Sequence, residues 1–355
     1  MSTNLVAFVV VLGVLIFFHE LGHFLVARLF GVGVERFSLG FGPRILGKQV
    51  GITDYRISAI PLGGYVKMVG EEPDSEIDPA DIPISFTHKH VFKRILIVAA
   101  GPFFNLLLAA LIFYGVFQVS GLMILKPLVG GVEADTPAAL AGLVEGDEIA
   151  AIDGSAIGSW EEMAAAISQS EGRPLILTVK RGESLQDLTI TPTLKPAQNI
   201  FGEPIDRYVI GISAAGDFET QRLNPLQALL ESVYRTYYFT KLTVVSVVKL
   251  IQGTVSTKTL GGPIMIAEMA GQQAKEGAGN LVTFIALLSI NLAILNILPI
   301  PVLDGGHLLF FTIEAVTGRP VNVKVREVAQ QAGIFLLMLL MILVFYNDIT
   351  RIFFR

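Results

Sequence analysis

Four stretches of this chain read as helices that cross a membrane: Leu5 to about Phe30, about Ile95 to Leu122, about Leu281 to Pro301, and about Ala332 to Tyr346. A span needs about 20 mostly apolar residues, so these blocks set the architecture before any local detail does. The bulk figures agree. Of 355 residues, 52% are hydrophobic and 16% charged, against roughly 45–50% and about 25% in a soluble domain. That balance excludes an ordinary soluble enzyme and a disordered chain. The net charge is −5 and no cationic cluster marks a nucleic-acid surface, so no DNA or RNA partner is expected. There is no cysteine, which excludes thiolate chemistry and leaves histidine and carboxylate as metal ligands.

Orientation follows from the cations. None precedes Arg28, whereas Arg36, Arg44, Lys48, Arg56, Lys67, Lys89, Lys93 and Arg94 lie between the first two blocks. By the positive-inside rule that stretch is cytoplasmic and the N-terminus lies outside. Arg319, Lys324 and Arg326, after the third block, agree. The first block has no cationic start and no small-residue cleavage site, so it reads as a span and not as a removable signal peptide. The segment from about 123 to 280 then lies on the outer face. Within it, residues 225–252 read as one long helix, but Arg235, Lys241 and Lys249 interrupt the apolar run. It is expected as an amphipathic helix at the outer interface or on the bundle, not as a fifth span.

From about Leu128 to Leu194 the pattern becomes that of a small α/β domain. Thr136-Pro137 reads as a helix start and Gly142 as its stop. Glu148 to Ile152 alternates like a strand and ends in the turn dipeptide Asp153-Gly154. Ser159-Trp160-Glu161-Glu162 has the spacing of a capping box and opens a helix to about Ile167. Strands over Leu175–Lys180 and Leu185–Ile190 follow, joined at Arg181-Gly182-Glu183.

The chemistry sits inside the first block, in His19-Glu20-Leu21-Gly22-His23. Residues four apart share a helix face, so both imidazoles reach one ion, and Glu20 beside them can take a proton from water at that ion. Ionisable side chains inside a span are expensive and mark a functional site by default. A catalytic zinc site needs a third protein ligand at the same depth. Asp304, in Leu303-Asp304-Gly305-Gly306-His307, is the candidate. His307 reads as a helix-start or supporting group, and His88 and His90 as solvated loop residues. With one span intervening, the first and third spans run parallel, which brings Asp304 to the depth of His19.

Three segments together resemble the site-2 protease family of intramembrane zinc metalloproteases (peptidase family M50), in particular its bacterial sigma-E-regulating branch. They are the HExxH at 19–23, Gly101-Pro102-Phe103-Phe104-Asn105 in the second block, and Asn296 to Gly305, an NxxPxPxLDG run. The resemblance implies one Zn2+ per chain on His19, His23 and Asp304, with Glu20 as the catalytic base. It implies that Asn291 and Asn296 hold the substrate backbone or its polarised carbonyl, a neutral way to meet a developing oxyanion. A membrane-dipping β-hairpin is placed at about 37–70. There Gly63, Gly64 and Tyr65 belong to a strand that captures the unwound substrate by edge addition. The outer domain resembles a bacterial PDZ domain through Ala141-Gly142-Leu143, Gly146-Asp147-Glu148-Ile149 and Ile152-Asp153-Gly154. The sigma-E branch commonly carries two such domains in tandem; this chain has room for one.

The expectation is therefore an α-helical polytopic membrane protein of four transmembrane helices, with a membrane-associated β-hairpin and one extracytoplasmic α/β PDZ domain. Residues 1–122 hold the first two spans and the hairpin, 123–215 the PDZ domain, 216–280 an amphipathic helical connector, and 281–355 the last two spans. By resemblance it is a zinc endopeptidase of a bacterial cytoplasmic (inner) membrane, with both termini outside and the active site toward the cytoplasm. Its partners are the lipid bilayer and single-span membrane substrates such as anti-sigma factors and signal-peptide remnants. The rival reading is a non-catalytic PDZ-bearing scaffold; a metal transporter fits poorly, because the polar groups gather at one depth.

Overall fold

The computed structural model describes residues 2–71 and 77–353. It divides into two units, residues 1–116 with 229–355, and residues 117–228. The chain begins with helix α1 (Ser2–Leu29), followed by strands β1 (Val34–Val50) and β2 (Thr53–Met68) and helix α2 (Val91–Ser120). The strands do not make a simple hairpin. Residues 34–39 pair with 64–68 on one side and with 54–57 on the other, while 44–50 pair with 53–58. Both strands thus bend back on themselves, helped by Gly40 and Gly42 at φ of 93° and 85°, a region open chiefly to glycine. One edge of the resulting small sheet is the segment 64–68.

The second unit contains β3 (Leu122–Leu125), β4 (Val129–Val132), α3 (Pro137–Leu140), β5 (Glu148–Ile152), β6 (Ser155–Ala156), α4 (Trp160–Ser168), β7 (Leu175–Arg181) and β8 (Ser184–Ile190). It closes with β9 (Thr193–Gln198), β10 (Pro204–Val209), β11 (Ile212–Ala214) and β12 (Phe218–Gln221). An antiparallel sheet in the order β6-β5-β7-β8 packs around Ile149, Met163, Leu175, Leu177, Ile190 and Ile210, all buried. Asp153 and Gly154 both take positive φ, as the tight turn into β6 requires. Ser159 Oγ caps α4 by accepting from Glu162 N at 3.1 Å, but Glu162 answers to Gly158 N, so the capping box is shifted by one residue. The unit also reaches past residue 215. β11 returns to pair with β4 and β12 with β3, so residues 218–221 are strand and not the start of a helical connector. Their pairing partners lie some 90 positions upstream, beyond any local pattern.

The chain re-enters the first unit through α5 (Pro225–Ile251), then α6 (Pro263–Glu276), α7 (Ala278–Ile297), α8 (Asp304–Thr317) and α9 (Val323–Phe353). Among the described residues, four helices are long and apolar enough to cross a membrane: α1, α2, α7 and α9. Within the membrane unit α5 packs on its neighbours, with Phe239 stacked on Phe113 of α2 and Thr243 Oγ1 donating to Asn291 Oδ1 of α7 at 2.9 Å. Asp348 of α9 caps α6, accepting from the backbone N–H groups of Gly262, Ile264 and Met265 at 2.9–3.2 Å.

Two of the expected spans differ in extent. Helix α7 stops at Ile297, not at residue 301, because Pro299 and Pro301 offer no N–H and push the residues before them out of helical φ/ψ. Helix α9 is longer than its apolar core, because Lys324, Arg326, Glu327 and Arg351 end the hydrophobic run without breaking a helix. Helix α8 sits between them, closed at Gly318 in the left-handed conformation.

The α/β unit is tied by one buried ion pair. Asp147 is fully buried, and Arg181 grips it with Nε and Nη2, both at 2.7 Å, while Val144 N donates to Oδ2 at 2.9 Å. The Arg181 guanidinium holds the Asp147 carboxyl below the usual carboxylate range. Asp147→Ala leaves the Val144 N–H without its acceptor and takes the carboxylate from Arg181, whose Nη2 keeps the Gly142 carbonyl at 2.8 Å; the cost is about 2 kcal/mol given that Arg181 is partly exposed. Hydrogen exchange on the detergent-solubilised protein at pH 7 should show β5 and β7 amides opening roughly thirtyfold faster in that variant. Because the native pKa is depressed, the pair's contribution is complete above the ordinary carboxylate range and fades as pH falls through the native value. Variant and wild type should converge only below about pH 4.

Candidate metal centre

His19 and His23 lie one turn apart on α1, each less than a tenth exposed, with Nε2 atoms 3.3 Å apart. Asp304, the first residue of α8, brings Oδ2 to 3.1 Å from His19 Nε2 and 3.6 Å from His23 Nε2. Among the described residues these three form the one cluster of histidine and acidic side chains able to hold a metal. Tetrahedral zinc with bonds of about 2.0–2.1 Å has ligand–ligand edges of roughly 3.3–3.4 Å. The observed triangle matches one face of that tetrahedron.

The hydrogen bonding supports the same fit. Asp304 Oδ2 is buried beside two imidazole nitrogens, yet it has no hydrogen-bond partner among the described residues. A buried carboxylate oxygen so placed is costly unless a cation meets it. His23 Nδ1 lies 2.9 Å from the carbonyl oxygen of Ile97, to which it donates, leaving Nε2 with a lone pair toward Asp304.

Local sequence explains how they meet. The prolines that end α7 turn the chain sharply through residues 298–303, with Ile300 N bonded to Leu298 O and Leu303 N to Ile300 O, so that α8 begins at Asp304. A methyl at Gly305 would run into the carbonyls of Ile297 and Leu298; only glycine lets the turn close. On α2, a methyl at Gly101 would collide with His23 Nε2 and stand 2.8 Å from His19 Cε1.

The other expected residues are distributed unevenly. Glu20 lies within electrostatic reach of His19, His23 and Asp304 and accepts a hydrogen bond from the Val66 backbone. Gly64 is beside it, where a methyl would stand 3.1 Å from Glu20 Cγ. Gly63 packs under the Phe41 ring, and Tyr65 accepts from Arg56 Nη2 at 2.6 Å while stacking parallel to Phe41. Asn296 Nδ2 is 3.5 Å from His19 Nε2. Asn291 is held instead by Thr243; five positions on a helix is about 140° of rotation, so it and Asn296 face different directions. His307 packs against Phe311, and His88 bonds Ser85 at 3.0 Å. Sequence reasoning assigned no role to Asn105, which lies fully buried with Nδ2 3.2 Å from His19 Nδ1. A lone amide inside a membrane helix was the available signal.

The Peptidase family M50 model matches residues 7–340. Among curated relatives, each provisionally named a zinc metalloprotease, one from Mesorhizobium japonicum is 38% identical over 98% of this chain and 98% of its own length. One from Campylobacter jejuni is 37% identical over 99% and 94%. A third, from Neisseria meningitidis, is 32% identical over 98% of this chain and 99% of its own. That alignment spans 450 residues against a chain of 355, so about 95 or more residues of the relative have no counterpart here, room for roughly one further small domain. The first two relatives have no such excess. A solved PDZ domain of an SdrC-like protein from Listeria monocytogenes is 32% identical over 24% of this chain and 84% of its own, with a TM-score of 0.20. The metal is zinc. This chain belongs to peptidase family M50, the site-2 proteases, and is a membrane-embedded zinc metalloprotease.

Proposed function

We propose that this protein cleaves single-span membrane proteins within or beside their transmembrane segment, with His19, His23 and Asp304 as zinc ligands and Glu20 as the general base. The observation that carries this reading is the triangle of His19 Nε2, His23 Nε2 and Asp304 Oδ2 at 3.1–3.6 Å. When bound there, zinc supplies Lewis acidity, bringing the pKa of a water toward about 7 and polarising a peptide carbonyl. The Glu20 carboxylate takes the proton from the attacking water and later delivers it to the departing amine nitrogen. Asn296, whose amide nitrogen already points at the histidine pair, donates to the carbonyl oxygen as negative charge develops on it.

A substrate helix has every amide bonded internally and has to unwind before attack. The edge strand 64–68 supports capture of the extended chain, because Gly64 and Val66 place it directly beside Glu20. In this reading Gly63 and Tyr65 shape that edge, and Asn291 contacts substrate only after release from Thr243. The resemblance places trimmed anti-sigma-factor-like regulators and signal-peptide remnants among the substrates, and the outer α/β unit in the role of a PDZ domain that receives peptide ends. Four spans, a bacterial inner-membrane location and an active site toward the cytoplasm complete the proposal, on the strength of the cation distribution.

Two experiments test it. Glu20→Gln should keep one zinc per chain and lower cleavage of a reconstituted single-span substrate roughly a thousandfold; unchanged cleavage contradicts the assignment. The absence of cysteine allows single-cysteine mapping of orientation. A membrane-impermeant maleimide added to spheroplasts should label a cysteine at Glu183 and spare one at Lys48. The opposite pattern overturns the topology.

A further inference from the structure

In the Gly101-Pro102-Phe103-Phe104-Asn105 segment of α2, Gly101 and Asn105 lie against His19 and His23, and Asn105 has no other evident task. Asn105 is wholly buried in an apolar helix, where an amide without partners is costly. Its backbone carbonyl accepts from Ser289 Oγ of α7 at 2.8 Å. Its side chain meets one polar neighbour, the Nδ1 atom of His19 at 3.2 Å through Nδ2, while Oδ1 is buried with no partner among the described residues.

The orientation of the amide decides what this contact does. With Nδ2 toward the ring, the amide donates, Nδ1 is the acceptor, and the single proton of neutral imidazole sits on Nε2. That is the wrong tautomer, because Nε2 faces His23 Nε2 and Asp304 Oδ2, where a ligand needs a lone pair. A half-turn of the amide, which leaves its shape unchanged, exchanges nitrogen for oxygen. Oδ1 then occupies the 3.2 Å position and accepts from Nδ1–H, Nδ2 takes the buried place that Oδ1 leaves, and the Nε2 lone pair is directed at the centre.

His23 shows the same logic with a different partner, its Nδ1–H donating to the Ile97 carbonyl. Ile97, Gly101 and Asn105 are spaced i, i+4, i+8 and so form one stripe along α2. The outer two hold the two imidazoles, and Gly101 between them leaves space for the rings. Metal-bound histidines characteristically donate their second ring N–H to an oxygen, which fixes tautomer and ring orientation.

We infer that Asn105 is a positioning residue whose side-chain oxygen accepts the His19 Nδ1 proton and thereby presents Nε2 to zinc. The inference rests on the ligand set proposed above. It acts through His19 and not on substrate.

The test is zinc affinity of the full-length protein in detergent, measured by competition with a fluorescent chelator, so that no catalytic readout is needed. Asn105→Leu should weaken binding 10–100-fold, the usual effect of losing such a support. Asn105→Asp, which can accept but not donate, should stay within a few-fold of wild type. Wild-type affinity in Asn105→Leu overturns the inference. So does a loss in Asn105→Asp as deep as in Asn105→Leu, because a donor role would produce it. If Asn105→Leu does not fold, Asn105→Asp decides alone: retained affinity supports the acceptor role and a loss refutes it. His19→Ala separates this from the ligand assignment. If it binds zinc like wild type, the ligand set itself falls, and this inference with it, whereas a failure confined to the Asn105 variants leaves the ligand set standing.

Discussion

Two imidazoles and a carboxylate are brought edge to edge inside an apolar bundle, and the surrounding structure is arranged to make that tolerable. Left alone, Asp304 Oδ2 is a buried anion with no hydrogen bond among the described residues, an arrangement that costs several kcal/mol in a low-dielectric interior. A dication at the shared point turns that cost into binding energy. The same interior keeps the charges unscreened, so the attraction between ion and ligands is stronger than it would be at a wet surface.

Geometry of this tightness depends on where helices stop and how closely they approach. Had α7 continued through Pro299 and Pro301, Asp304 would sit further along a straight rod; instead the turn over 298–303 starts a new helix with the carboxylate in its first turn. On the opposite side, α2 comes close enough to α1 for the backbone oxygen of Ile97 to reach His23, an approach Gly101 permits by having no side chain. Ser289 then ties α7 to the Asn105 carbonyl. Four helices, α1, α2, α7 and α8, thus share one small polar node, and the edge strand 64–68 lies against it through Val66 and Glu20.

How much of this the chain discloses unaided depends on the range of the interactions. The helices long enough to cross a membrane are legible because lipid selects composition residue by residue. His19 and His23 are legible because their spacing alone puts them on one face, and Asp304 because a proline-rich run places it at a helix boundary. The role of Asn105 is not local: it needs the antiparallel contact of α1 with α2, which joins positions 86 residues apart. For the same reason β11 and β12 escape notice, since short strands of three and four residues carry little pattern and their partners lie far upstream. Helix α8 is hidden differently. Its 14 residues follow a span so directly that the two blend into one apolar tract, divided only by the prolines.

The identity of the atoms around the ion decides whether His19, His23 and Asp304 form a zinc centre. Zinc-edge X-ray absorption on the purified, zinc-loaded protein reads them directly, through first-shell distances and the multiple scattering peculiar to imidazole rings. One zinc per chain, with nitrogen and oxygen neighbours at about 2.0–2.1 Å and the scattering of two imidazoles that drops to one in His23→Ala, is the predicted result. A spectrum without imidazole scattering, or one that His23→Ala leaves unchanged, would contradict the central claim.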